Sequence, residues 1–497
     1  MNDNVVKKGM STKHIIGWIV SVGLLLLLWC LPTSFFGVPE MTVMHQRIIA
    51  IFVFAAFMWI FEPIPIWATS VVIMVLMLLT TSDSMLGFFA NAENLGEPIS
   101  YKAIMASFAD PTVMLFMGGF VLAIGATKYK LDANLARVVL KLFGSKPRMV
   151  MMGFIVITAL ISMFMSNTAT SAMMIAILAP VLASMPDSDN KGRVGLALAI
   201  PVAANVGGIG TPIGTPPNVV AVRYLNENLG IDIGFGQWMA VMVPFVIILL
   251  ALAWVFLFLV FPSKQKEIKI EIGGEWDKSS KAIVVYVTFI VTIFMWLFGK
   301  KLFGVNANVV ALIPFAVFCI CGIFQKSDLA RIDWDVLWLV TGGFALGVGI
   351  DKTGLAALLV NTIPFNTWPA LLVIIGSGLL CIVMSTFMSN SATAALLIPI
   401  LTAVATGMGP QLAPFGGGAT LIVGLAMSAS LAMSLPISTP PNAIAYSKGF
   451  IEQKQMVLTG VVIGLVGMII GYIILIAAGK MGLFPEAAAA VAPIASV

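Results

Sequence analysis

Apolar residues fill this chain in blocks of about twenty, separated by short polar or charged segments. A helix needs about 20 apolar residues to cross a hydrocarbon core of about 30 Å at about 1.5 Å per residue. By that measure the pattern predicts eleven spans, over 14–36, 46–62, 65–82, 111–127, 195–228, 237–262, 281–299, 304–324, 335–352, 418–447 and 457–479. Two further blocks, 149–185 and 369–406, are too long for one crossing, and each carries a polar cluster near its middle. Each could be two full spans or one hairpin that enters and leaves by the same face, and the polar tips favour the hairpin. The fold class expected is an all-α polytopic membrane protein, with about eleven transmembrane helices and two re-entrant hairpins. The basic, amphipathic stretch 128–147 suits a helix lying flat at the cytoplasmic interface. The charged loop 263–280 is too short for a separate domain, and nothing is assigned to the Ala-rich tail 485–497.

Composition narrows the class. Of the 497 residues 60% are hydrophobic and only 10% charged, against about 25% charged in an ordinary soluble domain. That excludes a soluble enzyme, a secreted disulfide scaffold and a disordered chain. The long unbroken runs also exclude an outer-membrane barrel, whose strands alternate over about ten residues. Cys30, Cys319, Cys321 and Cys381 sit in apolar runs and read as small core residues. His14 and His45 lie near the starts of apolar segments and read as interfacial. The first run is too long for a cleavable leader and has no small-residue cleavage site.

Charge sets the orientation. With Lys7, Lys8 and Lys13 in the cytoplasm, 20 of the 27 lysines and arginines fall on the cytoplasmic side. The other side receives Arg47, Lys102, Arg223, Lys300, Lys301, Lys352 and Lys480. This is the positive-inside bias. It holds whether each long block crosses twice or not at all, because a pair of crossings preserves the side.

An internal repeat carries the chemistry. Residues 162–170, SMFMSNTAT, recur as STFMSNSAT at 385–393. Gly214-Thr-Pro-Pro-Asn218 recurs as Ser438-Thr-Pro-Pro-Asn442, and Gly118-Gly-Phe120 as Gly342-Gly-Phe344. Five predicted spans separate the two S-N-[T/S] clusters, and an odd number reverses the second copy, as in many secondary transporters. The resulting division is an N-terminal segment with an extra span over 1–36, a first repeat over 37–262, a linker over 263–280, a second repeat over 281–479 and a tail over 480–497.

A hairpin tip inside a bilayer leaves backbone groups unpaired, so it must face protein or water. Ser166-Asn167-Thr168 and Ser389-Asn390-Ser391 offer short donors and acceptors that also cap helix starts. Pro216-Pro217 and Pro440-Pro441 break their spans near the middle, and Gly207, Gly208, Gly210 and Gly214 loosen the first break. Each break yields a half-helix N-terminus with free N–H groups at membrane depth. Four such tips can converge on one pocket, where donors favour an anion while unwound carbonyls with Ser and Asn oxygens favour Na⁺. None of the four motifs contains Asp, Glu, Lys, Arg or His, which argues against a carboxylate proton relay. The paired Gly118-Gly119 and Gly342-Gly343 suit close helix contact.

On these paired S-N-T and T-P-P-N motifs the chain resembles the divalent anion:sodium symporter family, the INDY-type dicarboxylate and citrate transporters. The resemblance implies a homodimer, an elevator-like movement of a transport domain, no cofactor beyond Na⁺ as coupling ion, and residence in a bacterial plasma (inner) membrane. Carried over by position, Asn167, Thr168, Asn390 and Ser391 would bind substrate carboxylates, with Thr215, Thr439 and Pro440 lining the same pocket. One cation would sit near Ser162, Ser166, Asn167 and the Gly214 carbonyl, and a second near Ser385, Met388, Asn390 and Ser438. Ser391 departs from the Thr usual in the family, which keeps the hydroxyl and makes the pocket slightly roomier. The function implied is Na⁺-coupled symport of a C4-type dicarboxylate such as succinate, malate or fumarate. Sodium-independent dicarboxylate exchange, or carriage of citrate or 2-oxoglutarate, is the alternative. A membrane-embedded enzyme lacks a nucleophile with its base at depth, and a channel is disfavoured by the duplicated central site.

Overall fold

The computed structural model describes residues 12–268 and 275–484. Lys7, Lys8, Lys269 and the tail from residue 485 lie outside the described residues. Helices of eight residues or more run in this order: α1 (Thr12–Cys30), α2 (Val43–Phe61), α3 (Ile66–Thr80), α4 (Pro111–Lys128), α5 (Leu131–Leu142), α6 (Pro147–Ser162) and α7 (Asn167–Ser184). Then come α8 (Asn190–Gly208), α9 (Pro216–Glu227), α10 (Phe235–Val260), α11 (Ser280–Phe303), α12 (Leu312–Ile320) and α13 (Trp334–Lys352). The last are α14 (Leu355–Thr362), α15 (Ala370–Phe387), α16 (Asn390–Met408), α17 (Gly417–Leu431), α18 (Pro440–Ser447) and α19 (Gln453–Lys480).

Among the described residues ten helices are long and apolar enough to cross a membrane. Seven of them match spans expected from the sequence, and three are arms of the two long blocks, α7, α15 and the segment that begins with α16. The remaining expected spans are shorter or divided. The span 65–82 forms only the fifteen-residue α3, and 304–324 yields a short turn followed by α12. The spans 195–228 and 418–447 are each cut in two at their Thr-Pro-Pro, because proline lacks an N–H and clashes with the preceding turn.

The chain packs as two units. One comprises residues 1–110 and 334–364. In it α3 lies against α13, and Gly342 makes the contact close, since a Cβ there would overlap the side chain of Ser70. His45 is buried here rather than interfacial. It closes a capping box with Thr42 at the start of α2, and its Nε2 lies 2.6 Å from the Thr353 carbonyl.

The second unit comprises 111–333 and 365–497. Here α4 packs on the segment that leads into α12, and a Cβ on Gly118 would overlap the Ala311 carbonyl. Lys128 closes α4 by donating to the Ile323 carbonyl at 2.8 Å and pairing with Asp328 at 2.7 Å. Burial pushes the Asp328 carboxyl up, but Lys128 and the Gln325 N–H outweigh it and hold the group below the usual carboxylate range.

Packing partners within this unit repeat between the two sequence copies. Helix α6 lies on α8 as α15 lies on α17, and α7 lies on α8 as α16 lies on α17. The copies also exchange partners: α18 packs against α7, and α9 packs against α16. Of the cysteines only Cys381 is buried. Cys30, Cys319 and Cys321 are exposed, so apolar surroundings in sequence did not make them core residues.

Candidate substrate and cation site

All four motifs lie in the second unit. Helix α6 ends at Ser162, and four residues later Ser166 takes an extended backbone and accepts the Ala169 N–H at 3.2 Å. The second copy does the same at Ser389, which accepts the Ala392 N–H at 3.1 Å. These serines are N-caps, and the following asparagines, Asn167 and Asn390, are the first residues of α7 and α16. Each asparagine therefore sits where a helix offers unpaired N–H groups.

The broken helices also have a stated cause. Thr215 and Thr439 are extended, and the next proline occupies the first helical position, where its missing N–H costs nothing. The asparagine ending each T-P-P-N then reaches back to the carbonyls left open by the break. Asn218 Nδ2 donates to Gly208 O at 3.0 Å and Thr211 O at 2.8 Å. Asn442 Nδ2 donates to Met433 O at 2.7 Å and Leu435 O at 3.0 Å. Trp238 adds an indole N–H to Ile209 O at 3.0 Å. Unwound backbone is thus held in a fixed shape inside the protein, as buried polar groups require.

Two oxygen nests result. Ser162 Oγ lies 2.6 Å from Asn167 Oδ1 and 2.8 Å from Ala204 O. Ser385 Oγ lies 2.7 Å from Asn390 Oδ1 and 2.9 Å from Ala429 O. A hydroxyl has one proton and cannot serve two acceptors at once. Each nest therefore carries more acceptor oxygen than it has protons to fill, and both serines are fully buried. In the first nest the demand is met when the Asn167 amide is turned over. Its Nδ2 then faces Ser162 Oγ at 2.6 Å, and Gly214 O and Ala204 O at 3.2 Å each. Either an N–H or a small cation satisfies such a cluster, and uncharged oxygen ligands suit Na⁺.

The sequence-derived residues fall into two groups. The structure gathers Ser162, Asn167 and the Gly214 carbonyl, and it joins Ser385 to Asn390. Ser166 is engaged in its helix cap. Ser438 donates instead to Thr386 O at 2.8 Å and accepts from Leu435 N–H at 3.1 Å, fastening the second break to α15. Met388 lies in the extended link before α16. Thr215 and Thr439 are buried, Asn167, Asn390 and Ser391 half-buried, and Thr168 and Pro440 exposed.

Some residues were missed in the sequence. Ala204 and Ala429 contribute through backbone carbonyls, which no side-chain pattern marks. Thr211 donates to the Met163 carbonyl across the first nest. Asn218 and Asn442 were visible as the last letter of a duplicated motif, and that repetition was the readable signal. Two sizeable cavities lie away from the motifs. One of about 760 Å³ is lined by Asp232, Trp296 and Lys300 among others, and one of about 650 Å³ by Lys146, Arg148 and Trp254 among others.

Comparison with known proteins bears on this arrangement. The sequence model of the citrate transporter family (CitMHS) matches residues 56–416. The Sodium-dependent dicarboxylate transporter SdcS of Staphylococcus aureus strain MRSA252 is 31% identical over 500 aligned positions, covering 93% of this chain and 91% of that protein. The protein of the same name from strain USA300 matches to the same extent. Among solved structures, the YdaH transporter of Alcanivorax borkumensis superposes with a TM-score of 0.54. The match covers 85% of this chain and all of that one at 13% identity, a likeness of fold alone.

Proposed function

The chain belongs to the citrate transporter family, and we propose that it is a secondary transporter that carries a C4-type dicarboxylate, such as succinate, malate or fumarate, together with Na⁺. The observation that carries the reading is the pair of matching nests, Ser162–Asn167–Ala204 and Ser385–Asn390–Ala429. Each asparagine belongs to a nest and also opens a helix. Cation and anion can therefore be read by one residue: the amide oxygen turns to Na⁺, and the helix N-terminus faces a carboxylate. Two uncharged halves filled by two cations give a doubly negative substrate the positive charge that the motifs themselves lack. Thr168, Thr215, Ser391, Thr439 and Pro440 complete the substrate side. Gly214 and Met388 carbonyls, with Ser166 and Ser438, complete the cation side.

In this reading the two sequence copies are inverted repeats. The motif-bearing unit moves substrate across in an elevator-like step, and the protein works as a homodimer in a bacterial inner membrane with its N-terminus cytoplasmic. Uptake of labelled succinate into proteoliposomes, with and without a sodium gradient, tests the proposal. Wild type should take up succinate only with sodium outside, and Asn390→Ala should abolish uptake. Equal uptake without sodium would point to exchange, and full activity of Asn390→Ala would reject the site.

A further inference from the structure

Asn205 lies in α8 three residues before Gly208, is 1% exposed, and belongs to none of the duplicated motifs. Its Nδ2 lies 3.2 Å from Thr439 Oγ1 and 3.2 Å from Asn442 Oδ1, so it joins the first copy to the break of the second. The proton order along this chain of contacts is fixed. Asn442 Nδ2 is committed to two break carbonyls, which leaves Asn442 Oδ1 as an acceptor. Asn205 must then turn its NH₂ toward it, and its two N–H groups serve Asn442 Oδ1 and Thr439 Oγ1. Thr439 Oγ1 also accepts the Asn442 backbone N–H at 3.3 Å as the N-cap of α18. Both acceptor positions of the hydroxyl are filled, which leaves its one proton to donate.

The first copy lacks this wiring. Thr215 makes no side-chain cap bond. Ser430 stands three residues before Met433, the place that Asn205 holds before Gly208. Its hydroxyl is buried without a partner, as is Asn218 Oδ1. Serine is too short to make the bond that asparagine makes.

We propose that Asn205 is a positioning residue that locks Thr439 as an obligate hydrogen-bond donor, so that the Thr439 end of the pocket requires a carboxylate while the Thr215 end, with a free hydroxyl rotor, adapts to its ligand. The proposal rests on the dicarboxylate reading and assigns its two substrate-binding ends unequal roles.

The test is sodium-driven succinate uptake by the full-length protein in proteoliposomes, read as KM and Vmax for Asn205→Ala, Thr439→Ala and the double variant. Asn205→Ala should raise KM about tenfold, the scale of one lost hydrogen bond to a charged group, with Vmax within about twofold of wild type. Thr439→Ala should raise KM similarly, and the double variant should rise no further, because without Asn205 the Thr439 proton is free to turn to Asn442 Oδ1, so both changes take the same donor from the substrate. Thr439→Ser, which keeps the hydroxyl, should recover most of the affinity that Thr439→Ala loses. If Asn205→Ala does not reach the membrane, Asn205→Ser should give the same KM rise. Multiplying KM effects in the double variant, or a fall in Vmax at unchanged KM, would overturn the wiring and leave the dicarboxylate reading standing. Absence of succinate uptake by wild type would overturn both.

Discussion

A serine hydroxyl set close to a carbonyl and an asparagine amide recurs at Ser162 and Ser385, and at Ser162 turning the Asn167 amide relieves the clash of acceptors. Replacing either with alanine removes one oxygen from its nest and adds no bulk. A monovalent cation held by a few neutral oxygens is sensitive to the loss of one. We expect Ser162→Ala and Ser385→Ala each to raise the half-saturating sodium concentration for succinate uptake about tenfold, close to 1.4 kcal/mol. Sodium titrations at fixed succinate read this directly, and an unchanged sodium dependence in both would detach the nests from cation binding. Residue identity alone revealed only half of each nest. Ser162 and Asn167 were legible because hydroxyl and amide stand out in an apolar block. Ala204 and Ala429 were not, since a carbonyl acts wherever the backbone opens, and the opening is set by prolines more than ten residues later. Asn205 was hidden for another reason: the one amide in the otherwise apolar stretch 194–208 has no partner visible along the chain.

At the scale of elements, periodicity and proline placement gave most helices within a few residues. Block length cannot say how far a helix persists. The run 304–324 is apolar but for Asn306 and Asn308, yet it forms only a short turn capped by Asn306 and the nine-residue α12. Packing between copies was equally unreadable, because the sequence does not say that α7 meets α18 or that α9 meets α16. The glycine pairs were an exception, since a duplicated Gly-Gly announces two close approaches. Gly118 is the sharper of them, because the obstacle to a side chain there is the Ala311 backbone, which has little room to yield. Gly118→Ala should destabilise the protein by about 1–3 kcal/mol through overpacking. Gly376→Ala in α15, where nothing lies within 4 Å of the added methyl, is the control and should be neutral or slightly stabilising. Thermal unfolding in detergent compares the two, and equal midpoints would show that α4 has freedom to shift.

At the scale of the whole molecule the question is charge balance across the membrane. The motifs contain no ionisable side chain, so the moving charge is that of the cargo alone. Two nests filled by two sodium ions offset one divalent anion, and the loaded carrier then moves no net charge. Each net charge moved would be worth about 2.3 kcal/mol per 100 mV, a factor approaching fifty in the equilibrium ratio. We therefore expect sodium-driven succinate accumulation in proteoliposomes to change less than about twofold when a potassium diffusion potential of about 100 mV is imposed with either sign. Strong acceleration by an inside-negative potential would require a third cation bound outside both nests. Persistence of that acceleration in Ser162→Ala and Ser385→Ala would keep the extra charge outside both nests. The measurement separates a carrier that concentrates dicarboxylate on the sodium gradient alone from one that also draws on the membrane potential. The paired nests favour the first, because a serine, an asparagine amide and a helix carbonyl brought together twice supply two cation positions and no third.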